Sequence, residues 1–94
     1  MSYRATSWAY EQSLTGSKKF VLIVLADLAD EADTCRPSQQ NLADTTGLSV
    51  KTIERAISSL ERLGLVSRTR LATPVGSSPR YRYRLNIGQA ERAS

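Results

Sequence analysis

A chain of 94 residues that is 40% apolar suits one small domain with a single packed core, and no second domain is expected. It contains no histidine and one cysteine, Cys35, which excludes Ser-His-Asp and Cys-His catalysis, an internal disulfide, and zinc sites built from cysteine with histidine. The net charge of +4 is unevenly placed: residues 1–48 hold four basic residues against six acids, and residues 49–94 hold nine against three, so a polyanion-binding face is expected in the second half.

No apolar run approaches the ~20 residues that cross a bilayer. The N-terminus has no basic start followed by an apolar stretch, so a cytoplasmic chain is expected. Residues 1–14 carry Tyr3, Trp8 and Tyr10 among polar neighbours without a sustained period, which reads as an N-terminal arm with at most a short helical piece. The arm packs either on the domain or on a second copy, as in a homodimer. On this reading the core begins near Phe20, and deleting residues 1–14 leaves a cooperative fold.

From Lys18 to Asp33, Phe20, Val21, Val24, Leu25, Leu28 and Ala32 recur at helical spacing, with Leu22, Ile23, Ala26 and Ala29 widening the stripe. Thr15 or Ser17 is the candidate N-cap of this first helix, and Gly16 turns the chain into it. Asp27, Asp30, Glu31 and Asp33 crowd its end, near the negative pole of the helix dipole. Their spacing is not that of a calcium loop, and a solvated acidic face is the expectation. No catalytic residue, cofactor, small-molecule ligand or metal site follows from the composition, and no enzyme is expected.

Residues 34–37 read as a loop, because Pro37 biases Arg36 away from helix. Ser38 then caps a second helix of roughly 38–46 that ends at Gly47, with Leu42 and Ala43 inward. Ser49 caps a third helix running to about Leu63, with Gly64 in the position where a left-handed residue ends a helix. Val50, Ile53, Ile57 and Leu60 share one of its faces, with Leu63 at the edge, while Lys51, Arg55, Ser58, Ser59 and Arg62 project from the other. A short helix running through glycine into a second helix with a basic outer face is the sequence form of a helix-turn-helix, and it points to double-stranded DNA.

After Gly64 the period changes. Leu65 to Leu71 is a short strand, and Tyr81 to Ile87 alternates strictly, with Tyr81, Tyr83, Leu85 and Ile87 facing one way and Arg82, Arg84 and Asn86 the other. The Pro, Gly and Ser content of residues 72–80 marks a long hairpin tip. The tail of residues 88–94 is polar and expected to fray. The domain proper is therefore placed at residues 15–87, mainly α with a small β-hairpin.

Helix, helix, turn, helix and basic hairpin in that order resemble the winged helix-turn-helix domains of bacterial transcription regulators, over about Lys18 to Ile87. More narrowly, Leu42-Ala43, Thr46-Gly47-Leu48-Ser49, Thr52-Ile53-Glu54-Arg55-Ala56-Ile57 and Leu60-Glu61-Arg62-Leu63-Gly64-Leu65-Val66, together with Leu25-Ala26-Asp27-Leu28-Ala29 and Pro37-Ser38, look like a phage and plasmid subgroup. Members of that subgroup begin replication initiators or act as small regulators. Two features depart from its pattern. The usual glycine and aromatic before Pro-Ser are replaced by Asp33-Thr34-Cys35-Arg36, and such initiators usually continue into a further domain.

The resemblance implies that the third helix enters the major groove, with Ser49, Lys51, Thr52, Arg55 and Ser59 at base edges. Arg55 is the first choice as base reader, since its fork matches guanine O6 and N7, whereas Lys51 equally suits a phosphate. Ser38 is a cap whose helix N-terminus, with Gln39 alongside, can also meet a phosphate. Arg68, Arg70, Arg80, Arg82 and Arg84 of the wing are expected to follow the DNA backbone, with Arg80 near a minor groove. The bland alternatives are an ordinary solvated helix face, with Glu54 pairing Lys51 or Ser58, and arginines that merely deter edge-to-edge aggregation. Tyr81 and Tyr83 read as core-facing props, and Cys35 as an inert loop thiol. Three functions compete: a sequence-specific regulator of a mobile element, an origin-binding module in replication initiation, and an adaptor whose basic face meets an acidic protein.

Overall fold

The computed structural model describes residues 3–77 and 79–88. The expected fraying tail therefore lies, beyond Gly88, outside the described residues. In chain order the elements are α1 (Tyr3–Glu11), α2 (Gly16–Leu28), β1 (Thr34–Cys35), α3 (Gln39–Thr46), α4 (Val50–Arg62), β2 (Val66–Arg70) and β3 (Tyr81–Leu85).

The N-terminal arm is a helix and part of the core, which corrects the expectation that the core starts near Phe20. Ala5, Trp8 and Ala9 stand at i, i+3 and i+4, one face of α1, and are essentially inaccessible, packed against α2. Three buried positions over two turns are too few for a periodicity signal, and two of the three are alanines. Arg4 ties the same helix to the far side of α2, its Nη2 donating to both Asp33 carboxylate oxygens at 2.7 Å.

The helix α2 stops five residues before its expected end at Asp33. Asp30 competes with the helix for backbone donors: its Oδ1 accepts from Ala32 N at 2.9 Å and Thr34 N at 3.1 Å, and from Thr34 Oγ1. These bonds hold the Asp30 carboxyl below its ordinary range. Of the four clustered acids, Asp30 thus shapes a turn and Asp33 holds Arg4. The buried stripe is Val21, Leu22, Leu25 and Ala26, while Phe20 and Leu28 are about half exposed, so the inward face is turned from the expected one.

The segment read as a loop contains the two-residue strand β1. Thr34 and Cys35 pair with Arg84 and Tyr83 of β3, and Leu85 N donates to the Asp33 carbonyl at 2.8 Å. Sequence periodicity cannot reveal a strand this short. The sheet runs β1-β3-β2, antiparallel throughout, with Val66 opposite Leu85, Arg68 opposite Tyr83 and Arg70 opposite Tyr81.

Local signals fare better in the middle of the chain. Ser38 Oγ accepts from Asn41 N at 3.0 Å to cap α3, which ends at Gly47 with φ +77°. Ser49 Oγ accepts from Thr52 N at 3.1 Å to cap α4. Ile53, Ala56, Ile57 and Leu60 of α4 are buried with Leu42 of α3, Val66 of β2 and Tyr83 and Leu85 of β3 in one core. Val50 and Leu63, at the rims of the predicted apolar face, are exposed. The result is a winged helix-turn-helix with an extra helix, α1, built into its core.

Candidate nucleic-acid interface

The turn at Gly47 and the two serine caps set α4 so that one side packs into the core and the other faces solvent. On the solvent side Lys51 and Arg55 are exposed, and neither pairs with an acid among the described residues. Ser49 and Thr52 are bonded to each other, Ser49 Oγ donating to Thr52 Oγ1 at 2.9 Å, so the Ser49 hydroxyl is committed to the cap while Thr52 serves as acceptor. Ser59 is half-buried and accepts from Arg62 Nη2 at 3.3 Å.

Glu54 organises the flank of α4. Its carboxylate accepts a fork from Arg68, with Nη1 to Oε2 and Nη2 to Oε1 each at 3.0 Å, a further bond from Ser58 Oγ, and one from Gln39 Nε2 on α3. Arg68 also pairs with Glu61 at 3.4 Å and lies 5.0 Å from the Tyr81 ring centre. Its side chain is only 17% exposed. Two residues expected at the DNA are placed as struts: Arg68 and Gln39 join β2, α4 and α3, their polar ends meeting Glu54. The expected Glu54–Ser58 pair is present. Lys51 is left out of it, because the carboxylate turns toward the sheet. The missed signal was the i, i+7 placement of Glu54 and Glu61 on one flank of a helix preceding an arginine-rich strand.

The Arg68 hydrogen bonds hold Glu54 below its ordinary pKa of 4.5, outweighing the desolvation that opposes them, with the Arg68 charge, Gln39 and Ser58 adding lesser contributions in the same direction. A depressed folded-state pKa means stability that is present above the ordinary pKa and lost as pH falls through the folded one. The Glu54 carboxylate is 41% exposed, so the pair contributes about 1 kcal/mol or less. In thermal melts Glu54→Gln is expected to lower Tm modestly at pH 7, with the difference from the parent chain shrinking as pH falls below 4.5 through the depressed folded-state value. Parallel melting curves across that range would contradict this role for Glu54.

The strand register divides the other wing arginines. Tyr83, Leu85 and Val66 are buried, so the face they share looks inward, and Arg70 and Tyr81 lie on that side beside α4. Arg82 and Arg84 alternate with them and stand exposed on the outer face. Arg80 Nη2 donates to the Arg36 carbonyl at 2.7 Å. That bond draws the end of the wing loop against the start of α3, where Ser38, Gln39, Gln40, Val50 and Arg80 line one depression. The first turns of α3 and α4 and the base of the wing thus converge, with Lys51, Arg55, Arg70 and Arg80 exposed around them.

Cys35 belongs to β1 rather than to a loop. It is buried, its thiol donates to the Leu25 carbonyl at 3.6 Å, and burial pushes its pKa up to about 12. It stays a neutral thiol at physiological pH. Among the described residues no group of three or more His, Cys, Asp or Glu is placed to hold a metal ion, and no helix is long and apolar enough to cross a membrane.

A family model described as a helix-turn-helix domain matches residues 12–66. No curated protein matches the chain. Among solved structures, a possible transcriptional regulator from Methanosarcina mazei Go1 superimposes with a TM-score of 0.60 at 20% identity, covering 85% of this chain. The chain spans 62% of that structure's own length, and at this identity the likeness speaks for the fold. The family match takes in more than half of the chain, including both caps, the Gly47 turn and the whole of α4, and the chain belongs to the helix-turn-helix domain family.

Proposed function

We propose that this protein is a sequence-specific double-stranded DNA-binding regulator of transcription, serving a phage, plasmid or other mobile element by occupying an operator. The observation that carries the reading is the state of α4: its first two turns present Lys51 and Arg55 to solvent without an acidic partner among the described residues, while the acids of the same helix are turned to the sheet. A recognition helix needs donors free to meet base edges, and here the protein itself has sequestered the competing carboxylates. Arg55 reads a base, and Lys51 reads a base or neutralises a phosphate. Arg70 and Arg80, beside α4, and the Ser38 end of α3 hold the DNA backbone. Ser49, Thr52 and Ser59 border the helix surface and shape the approach.

Selection of bound sequences from a random duplex library tests this directly, since a regulator of this kind yields a defined motif. On that motif Arg55→Ala is expected to lose ~1–3 kcal/mol of discrimination while affinity for random DNA hardly changes. Equal losses on motif and random DNA would remove Arg55 from the role of base reader. Failure of any motif to emerge would overturn the regulator reading itself.

A further inference from the structure

The outer face of the sheet is a second basic surface, turned away from α4 and adjoining the first where Arg80 meets Arg36. Arg82 and Arg84 are exposed on β3, and their cross-strand neighbours on the same face are Thr69, Ser67 and Thr34. Arg36 lines the same depression. The one carboxylate there, Asp30, bonds to the backbone and hydroxyl of Thr34 and to Ala32 N and feels the charge of Arg36, and no acid among the described residues forms a close ion pair with Arg36, Arg82 or Arg84.

Protection of a sheet edge does not account for Arg84, although Arg82 lies beyond the end of β1 and has a ladder partner on the β2 side only. At Arg84 the strand is paired on both sides, to Thr34 and to Ser67, so there is no edge to guard. Two arginines at i and i+2 on a strand lie about 6.8 Å apart, twice the rise per residue, and their charges repel unless a polyanion lies across them. A duplex strand carries a charge every ~3.4 Å along its axis, so one such pair matches two steps of the phosphate repeat. Exposed hydroxyl and guanidinium donors without aromatic side chains suit a backbone rather than stacked single-stranded bases.

We infer that the outer sheet face, through Arg36, Arg82 and Arg84, holds the phosphate backbone of a second DNA segment, so that one molecule bridges two duplexes. The bridging rests on the reading of α4 given above; the second surface does not. Because Arg84 points away from the side on which α4 packs, a duplex seated on Lys51 and Arg55 leaves the outer face open to another.

The test uses the full chain, an immobilised duplex of random sequence and a fluorescent duplex of the same kind in solution, at low salt. The intact chain is expected to carry the fluorescent duplex onto the immobilised one. Arg82→Ala with Arg84→Ala should reduce that capture at least tenfold while the protein itself still loads onto the immobilised DNA. Arg82→Lys with Arg84→Lys keeps the charge and should retain capture. Lys51→Ala with Arg55→Ala should also abolish capture yet leave residual DNA binding, whose salt slope is then lowered by roughly two units when Arg82 and Arg84 are removed as well. Failure of α4 to bind DNA would show in that variant alone, as a loss-free Lys51→Ala, Arg55→Ala chain. Capture by the alanine pair equal to that of the parent, or no capture by a parent whose loading does fall in the Lys51→Ala, Arg55→Ala chain, would overturn the second surface. So would an alanine pair that loses binding to polyglutamate but not to DNA, which would point to an acidic protein instead.

Discussion

Trp8→Ala is expected to destabilise the domain by about 3–5 kcal/mol, the cost of emptying a fully packed indole site. Trp8 is 3% exposed and is the one large side chain that α1 contributes to the core, the others being Ala5 and Ala9. Total stabilities of small domains run to ~5–15 kcal/mol, so this single change removes a large share. Deleting residues 1–14 should go further, baring α2 and abolishing a cooperative thermal transition. The indole Nε1 has no hydrogen-bond partner among the described residues, so the ring acts here through its bulk. Trp8→Phe, which drops that unpartnered donor along with part of the ring, should therefore cost much less than Trp8→Ala. Urea melts of the two variants check the ranking. A Trp8→Ala chain within ~1 kcal/mol of the parent would mean that α1 is an attachment after all.

Leu42→Ala should cost ~2–5 kcal/mol and weaken DNA binding on every sequence. The helix α3 is short, and its buried residues are Leu42 and Ala43 only, so one leucine supplies most of the apolar surface that seats it. Losing that anchor loosens Gln39 from Glu54 and the Ser38 end from its place beside Arg80. Gln40→Ala, on the exposed side of the same helix, should stay within about 0.5 kcal/mol. Hydrogen exchange on the α3 amides reports whether the helix opens alone or with the whole domain. Protection unchanged in Leu42→Ala would show α3 to be held by its caps and turn.

What could be read without coordinates was what short-range chemistry decides. Ser38, Gly47, Ser49 and Gly64 mark helix ends through bonds made within a few residues, and the α4 stripe repeats often enough to declare its face. The exposed position of Lys51 and Arg55 follows from that same periodicity. Features set by distant partners were not legible. The end of α2 depends on the Asp30 carboxylate outbidding the helix for Thr34, β1 exists only because β3 lies beside it, and α1 announces itself by one tryptophan. Arg68 looks like every other arginine of the hairpin until strand register turns it toward Glu54 and Glu61. The division of the basic residues into two faces likewise needed the register.

The order β1-β3-β2 places at the centre of the sheet the strand that comes last in the chain. Neither outer strand has a partner until β3 is in place, since β1 and β2 both pair to it and not to each other. By contrast, α1 and α2 are joined by four residues and α3 and α4 by three. Closing the long segments between residues 34–35 and 83–84 is the entropically slow step, so helix packing should form the folding nucleus and the sheet should zip late. Lesions in β3 would then accelerate unfolding while leaving the folding rate nearly untouched, and the domain's lifetime, more than its speed of formation, would be written in its final strand.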